Sequence, residues 1–147
     1  MPIRLKSRVM NTCLLPSLTY ASQTWKFTRK IKNKIITSQR SMERSILKIK
    51  KINKIRHTSI RQKTKAIDAL SYSQKLKWRW AGHIARLTDN RWTKRTTLWL
   101  GPSGQRKRGR PNARWADDII KIAGTHWMQA AEDRKHWSSL EEAFTFR

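Results

Sequence analysis

The helical character of this chain is clearest in residues 29–49, which have the sequence RKIKNKIITSQRSMERSILKI. Apolar side chains recur there at successive spacings of 4, 7, 4 and 3 residues, and this period places them on one face of an α-helix. The residues of this stripe are Ile31, Ile35, Met42, Ile46 and Ile49. Because the other faces carry many basic side chains, the segment predicts a long helix with a narrow apolar stripe and a cationic exterior.

Further helices are predicted on both sides of this segment. Residues 3–24 have a helical pattern that Pro16 is expected to break, because proline lacks the backbone donor of a helix interior. Residues 48–56 are predicted to form a basic connector, and a shorter helix is expected to follow Thr58 or Ser59. Asp68 has the side chain and the position of an N-cap for the next helix.

The C-terminal part of the chain is also predicted to be helical. Residues 91–99 predict either a short helix or a strand, whereas residues 101–111 are rich in Gly, Pro and basic residues and predict a loop. A helix that ends at Gly124 is expected next, followed by one or two short helices over residues 126–145. The predicted class is all-α: extended basic helices, then a small Trp-rich helical C-terminal domain, with the Gly/Pro/Arg loop between them.

These patterns divide the chain into four segments. We expect a basic helical segment (1–67), a Trp-rich helical segment (68–100), a basic loop (101–111) and a C-terminal helical segment (112–147). Large aromatic side chains bury the most apolar area, so the better-ordered core is expected after residue 68, while the first 65 residues have little to bury against. The tryptophans expected to build that core are Trp80, Trp92, Trp99, Trp115, Trp127 and Trp137.

The charge of the chain is strongly positive and unevenly distributed. It has 34 Lys and Arg against 9 Asp and Glu, a net charge of +25, and residues 1–65 hold 18 of the basic residues with a single acid, Glu43. Such a surface attracts a polyanion, so the expected partner is a nucleic-acid duplex or RNA–DNA hybrid held by its backbone. The sequence does not define an oligomeric state.

Several other classes of protein are disfavoured. The single cysteine, Cys13, has no partner in the chain for a disulfide, which fits a reducing compartment. There is neither an apolar run of about 20 residues nor a secretory signal, so we expect a nuclear or cytoplasmic protein that is not secreted and has no membrane partner. Neither a metal nor another cofactor is expected, because the histidines lack the spacing of metal ligands.

Trp115-Ala116-Asp117-Asp118 imitates the paired aspartates that hold two Mg²⁺ ions in polymerase palms. That chemistry needs a tight turn between two strands and a third carboxylate from an upstream strand. Here the pair follows Pro111 and precedes a helical pattern, where acidic side chains favour the positive end of the helix dipole. The aspartates are therefore predicted to begin a helix rather than to bind metal.

Two basic strings are candidate contacts with nucleic acid. The run from Gln105 to Pro111 contains Arg-Gly-Arg-Pro, the core of an AT-hook. Contact with the nucleic-acid backbone, a nuclear localisation patch and a solvated charged loop are also open. Lys77-Trp78-Arg79-Trp80 alternates basic and aromatic residues, as base-stacking surfaces do. Trp80 follows the apolar stripe and is expected in the core, which leaves Trp78 either for an outward contact or for burial against a neighbouring helix.

The residues expected to contact nucleic acid lie on the long helix, on the connector, in the Lys-Trp-Arg string and in the basic loop. They are Lys30, Lys34, Arg40, Arg44, Lys48, Lys51, Lys54, Arg56, Lys77, Trp78, Arg79, Arg106, Lys107, Arg108 and Arg110. We predict no catalytic residue and no metal ligand.

Compound strings of residues occur in order along nearly the whole chain. They are NTCLLP (11–16), LTY (18–20), QTW (23–25), QRSMER (39–44), KLKWRWAGH (75–83), RWTKR (91–95), GRP (109–111), RWADDI (114–119) and WMQAA (127–131). This set resembles the C-terminal region of LINE-type (non-LTR) retrotransposon reverse transcriptases, most closely those of the RTE-like clade.

The resemblance carries expectations about function. In that family an endonuclease and the polymerase fingers and palm precede a helical thumb and a C-terminal extension. The resemblance implies that residues 1–67 are thumb-like and that the chain is a truncated fragment without the catalytic palm or the endonuclease. The parent would be an RNA-directed DNA polymerase with endonuclease, whereas this chain alone is expected to be inactive. The alternatives are a free-standing DNA-binding module of AT-hook type and an RNA-binding protein that folds on its partner.

Overall fold

The computed structural model describes residues 2–89, 91–99 and 114–145. These residues form helices and connecting turns without a strand, so the all-α prediction is confirmed. The α-helices are α1 (Ile3–Val9), α2 (Leu15–Leu18), α3 (Arg29–Ile46), α4 (His57–Thr64), α5 (Ala69–Ala85), α6 (Trp92–Leu98), α7 (Asp117–Ala123), α8 (Trp127–Ala130), α9 (Arg134–Ser139) and α10 (Glu141–Thr145). A π-helical turn (Met10–Leu14) and two 3-10 turns (Ser22–Thr24 and Lys51–Asn53) complete the helical elements.

The helix boundaries follow local capping chemistry. Helix α3 begins where the Thr28 hydroxyl accepts a hydrogen bond from the Ile31 N–H at 3.3 Å. The predicted cap of α5 is confirmed, because Asp68 Oδ1 accepts the Ser71 N–H at 2.8 Å. Gly124, which ends α7, has a φ of +81°, a left-handed value that glycine adopts without strain.

The chain passes Pro16 without leaving the helical path, so the predicted break there is wrong. The π-helical turn Met10–Leu14 lies between α1 and α2, and Pro16 lies in the first turn of α2. A widened turn leaves room for the proline ring beside the preceding carbonyls. The helix therefore continues through Pro16 instead of ending there. The hydroxyl of Ser17 donates to the Cys13 carbonyl at 2.9 Å and satisfies one acceptor beside the proline.

The described helices belong to two compact units. The basic unit comprises Met1–Ser22 and Thr28–Ser73, and the tryptophan unit comprises Gln23–Phe27 and Gln74–Arg147. The division falls between Ser73 and Gln74, within α5. Each unit has its own buried residues.

The basic unit packs α1, α3 and α4 against one another. Its buried residues include polar ones, and Gln39 is the clearest of them. The Gln39 amide donates to the Ile67 carbonyl at 2.7 Å and accepts from the Ala69 N–H at 2.8 Å, while Asn11 Oδ1 accepts the Ile67 N–H at 3.1 Å. The basic helices therefore pack through buried polar side chains as well as apolar ones. Hydropathy does not indicate this, because amide side chains are mostly found at the surface.

The tryptophan unit is centred on one pair of indoles. The Trp78 and Trp137 rings are stacked with their centroids 4.0 Å apart. Each indole N–H donates to the backbone carbonyl of the other residue, at 2.9 and 3.0 Å. A Cβ at Gly82 would lie 2.6 Å from Trp137 Nε1, so this glycine admits the second ring. The surrounding buried residues are Ala81, Ala85, Ile119, Trp127, Ala131 and Phe144.

The set of core tryptophans differs from the predicted one. Trp127 and Trp137 are buried and Trp115 is partly buried, as expected. Trp92 and Trp99, however, are 74% and 65% exposed, and Trp80 is only half-buried. The apolar stripe of α5 indicates Trp80, whereas the small side chains on the other face create the space that Trp137 fills.

Candidate nucleic-acid interface

Helix α3 presents a cationic face on the side away from its buried residues. Buried Ile35, Gln39 and Glu43 follow one another at every fourth position and form the inner face. The exposed outer face carries Arg29, Lys30, Lys34 and Arg40 together with the small polar residues Asn33, Thr37 and Ser41. At 1.5 Å per residue the helix is about 27 Å long, which matches about eight nucleotides of one duplex strand.

The single carboxylate of α3 is removed from this surface. Glu43 is completely buried. Its Oε2 lies 2.9 Å from His57 Nε2, and its Oε1 lies 3.6 Å from Arg61 Nε, both on α4. Glu43 thus helps to hold α4 against α3 and does not neutralise the outer face.

The other acid of the basic unit, Asp68, is also engaged. Arg61 Nη2 donates to Asp68 Oδ2 at 2.6 Å. Burial by itself would raise the pKa of Asp68, but the Ser71 N–H and the Arg61 guanidinium together lower that pKa below its ordinary value. The basic unit has 17 Lys and Arg against these 2 acids, a balance of +15, and neither carboxylate is available to offset the exposed cations.

The connector after α3 continues the cationic surface. Lys48, Lys51, Lys54 and Arg56 are all exposed around the 3-10 turn. Lys48 and Lys54 have left-handed φ values of +55° and +48°, which reverse the chain on either side of this turn. Arg44, half-buried, donates from Nη2 to the Ile55 carbonyl at 3.2 Å and ties the connector to α3.

In the Lys-Trp-Arg string, two of the three side chains predicted to contact nucleic acid are buried instead. Lys77 and Trp78 are both completely buried. Lys77 Nζ donates to both carboxylate oxygens of Asp118 at 2.8 Å and to the Trp115 carbonyl at 2.7 Å. Arg79 is exposed, but it pairs with Glu141 at 3.0 and 3.1 Å. The predicted roles of Lys77 and Trp78 are therefore corrected: they stabilise the tryptophan unit.

The paired aspartates begin α7, as predicted. Asp117 and Asp118 lie in its first turn. Asp118 is the ion-pair partner of Lys77, and Asp117 Oδ2 accepts the Arg114 N–H at 2.5 Å. Both carboxylates thus have hydrogen-bond partners within the tryptophan unit.

The remaining candidate features are the basic loop, a metal site and a membrane-spanning helix. Arg106, Lys107, Arg108 and Arg110, with the whole Arg-Gly-Arg-Pro loop, lie outside the described residues. In residues 2–89, 91–99 and 114–145, no three His, Cys, Asp or Glu side chains group in a way that could hold a metal ion. No helix in the same part of the chain is both long and apolar enough to cross a membrane.

Over the residues that it describes, the structure is therefore all-helical, with one polycationic unit and one unit built on a tryptophan core. The chain is 30% identical, over 93% of its length, to a protein of Caenorhabditis elegans that is named an uncharacterized transposon-derived protein. It spans 54% of the length of that relative. The similarity is consistent with an origin in a transposable element. No protein-family model matches the chain, and no solved structure matches it significantly.

Proposed function

We propose that this chain binds a nucleic-acid duplex or RNA–DNA hybrid by its sugar-phosphate backbone, as the thumb of a non-LTR retrotransposon reverse transcriptase does. The observation that carries this proposal is the outer face of α3, which has Lys30, Lys34 and Arg40 exposed and no exposed carboxylate. Phosphate contacts of this kind position a protein on a duplex without selecting a sequence. The name of the transposon-derived relative supports a role in a mobile element.

The partner surface extends from α3 to the connector. Lys48, Lys51, Lys54 and Arg56 continue the run of exposed cations. Asn33, Thr37 and Ser41 lie between the cations of α3 and offer neutral donors to phosphate oxygens. A helix with a continuous row of such donors suits a regular, repeating backbone better than it suits a single anion.

Removing three cations from α3 tests this surface. We expect the combined substitutions Lys30→Gln, Lys34→Gln and Arg40→Gln to weaken duplex binding by about tenfold or more at low salt. The slope of log K against log salt should become shallower by about 1 for each phosphate that the variant no longer neutralises. A·T-rich and G·C-rich duplexes should be affected equally, because phosphate contacts carry no base information. Fluorescence anisotropy over a salt series measures both quantities.

The matched control removes the same charge from the other unit. Lys121→Gln, Arg134→Gln and Lys135→Gln replace three exposed cations of the tryptophan unit. This control should keep most of the affinity and most of the slope. If its affinity fell as far as that of the α3 variant, net charge rather than α3 would carry the binding, and the proposal would be wrong.

We also propose that the chain alone does not catalyse nucleotide addition. Primer extension by the pure protein with Mg²⁺ or Mn²⁺ is expected to give no product, because Asp117 and Asp118 begin a helix and Lys77 holds both carboxylate oxygens of Asp118. A product that disappeared with Asp117→Asn would contradict this assignment.

A further inference from the structure

Helix α6 and the residue that follows it expose two large aromatic rings to solvent. Trp92 and Trp99 are 74% and 65% exposed, and Leu98 beside them is 51% exposed. No residue of α6 is buried. Tryptophan normally buries most of its surface, so two exposed indoles within eight positions indicate a surface that acts on a partner.

The positions of the two rings are related by helix geometry. Trp92 and Arg95 lie three positions apart on α6, and Trp99 is the extended residue that follows the helix, about 10 Å further along its axis than Trp92. Arg95 lies between them in sequence, with its guanidinium carbon 4.8 Å from the centroid of the Trp92 ring. A cation is therefore held next to an aromatic face that remains largely exposed.

The charge of this segment identifies the class of partner. Residues 91–99 contain Arg91, Lys94 and Arg95 and no acid, and Asp89 just before them pairs with Arg91. Aromatic rings alternating with cations match the bases and phosphates of a nucleic acid. An apolar protein surface would leave the cations next to the rings without partners.

We propose that Trp92 and Trp99 stack on bases of single-stranded nucleic acid and that Arg95 contacts the phosphate between them. The bases of a duplex already stack on one another, so only an unpaired strand offers free ring faces. The proposal depends on the proposed function only for the class of partner, because the duplex surface lies on α3 and this one on α6.

The test uses the full chain with a labelled oligothymidylate and a labelled duplex of the same length. Trp92→Ala is expected to weaken binding to the single strand by about tenfold, which is within the range for loss of one stacked base. The change in duplex affinity should be less than about twofold, because α3 is intact. An abasic strand, which keeps the phosphates but has no bases, should bind wild type and variant equally.

Two controls separate stacking from other effects. Trp92→Phe keeps an aromatic ring and should retain most of the affinity for oligothymidylate, whereas Tyr20→Ala removes an aromatic residue that is 81% exposed in the basic unit and should change it little. Unchanged single-strand affinity of Trp92→Ala would overturn the proposal. An equal loss for the strand, the duplex and the abasic strand would overturn it as well. The duplex affinity of the α3 variant tests the proposed function alone, and neither outcome changes this inference.

Discussion

Trp78→Ala is expected to unfold the tryptophan unit under conditions in which the unchanged chain is folded. Loss of a buried tryptophan side chain costs about 3–5 kcal/mol. The variant also leaves the Trp137 carbonyl without its indole donor, which costs about 1–3 kcal/mol more in a buried position. The sum approaches the total stability of a small domain, about 5–15 kcal/mol. Near-ultraviolet circular dichroism and urea unfolding measure the loss.

The control for this prediction is a tryptophan of the same unit that lies in solvent. Trp92→Ala removes an identical side chain that is 74% exposed, and its effect on stability should be within about 0.5 kcal/mol. If the two alanine variants were equally stable, the stacked pair would not be the centre of the core.

The second large effect is expected from Asp118→Ala. This change leaves the Lys77 ammonium group buried without its carboxylate, and breaking a buried ion pair on one side costs about 3–5 kcal/mol. The Trp115 carbonyl and the Trp115 ring, whose centroid is 4.8 Å from Nζ, remain but carry no full negative charge. Urea unfolding followed by circular dichroism measures the change.

The neighbouring aspartate and a double variant complete this experiment. Asp117→Ala removes a carboxylate that accepts only the Arg114 N–H among its described bonds, and it should cost about 1 kcal/mol or less. Combining Lys77→Met with Asp118→Leu removes both charges and should recover most of the stability that Asp118→Ala forfeits. A double variant as unstable as Asp118→Ala would show that the loss comes from packing rather than from the unpaired charge.

Local signals predict the parts of the fold that depend on local chemistry. The period of apolar residues locates α3, the carboxylate of Asp68 locates the start of α5, and Gly124 locates the end of α7. The helical position of Asp117 and Asp118 is also predictable, because helix dipoles favour acidic residues in the first turn.

Contacts between distant residues are not predictable in the same way. Trp78 and Trp137 are 59 positions apart, and nothing in the pattern around Trp78 identifies its partner. The inner row of α3 has a signal that hydropathy obscures: Gln39 and Glu43 continue the spacing of four that begins at Ile31 and Ile35. Their polarity suggests a solvated face, whereas the structure satisfies them with partners from other parts of the chain.

The candidate interface is predictable from the sequence only where exposure depends on the local helical pattern. The exposed cations of α3 follow from the helical period, since a cation opposite the apolar stripe must face water. Those of the connector follow only from its high density of charge. The prediction for Lys77 is wrong because its carboxylate, on Asp118, lies 41 positions further along the chain. The prediction that Trp92 and Trp99 are buried is wrong because tryptophan usually lies in a core, and the pattern around these two residues does not distinguish them from the others.

The close approach at Gly82 has an evolutionary consequence. The ring of Trp137 occupies the place where any larger residue at position 82 would put its Cβ, so the two positions cannot change independently. Among related sequences, glycine should therefore be kept at 82 wherever tryptophan is kept at 137. A side chain at 82 that displaces the Trp137 ring should destabilise the tryptophan unit, because that ring stacks on Trp78 and both indoles donate across the pair.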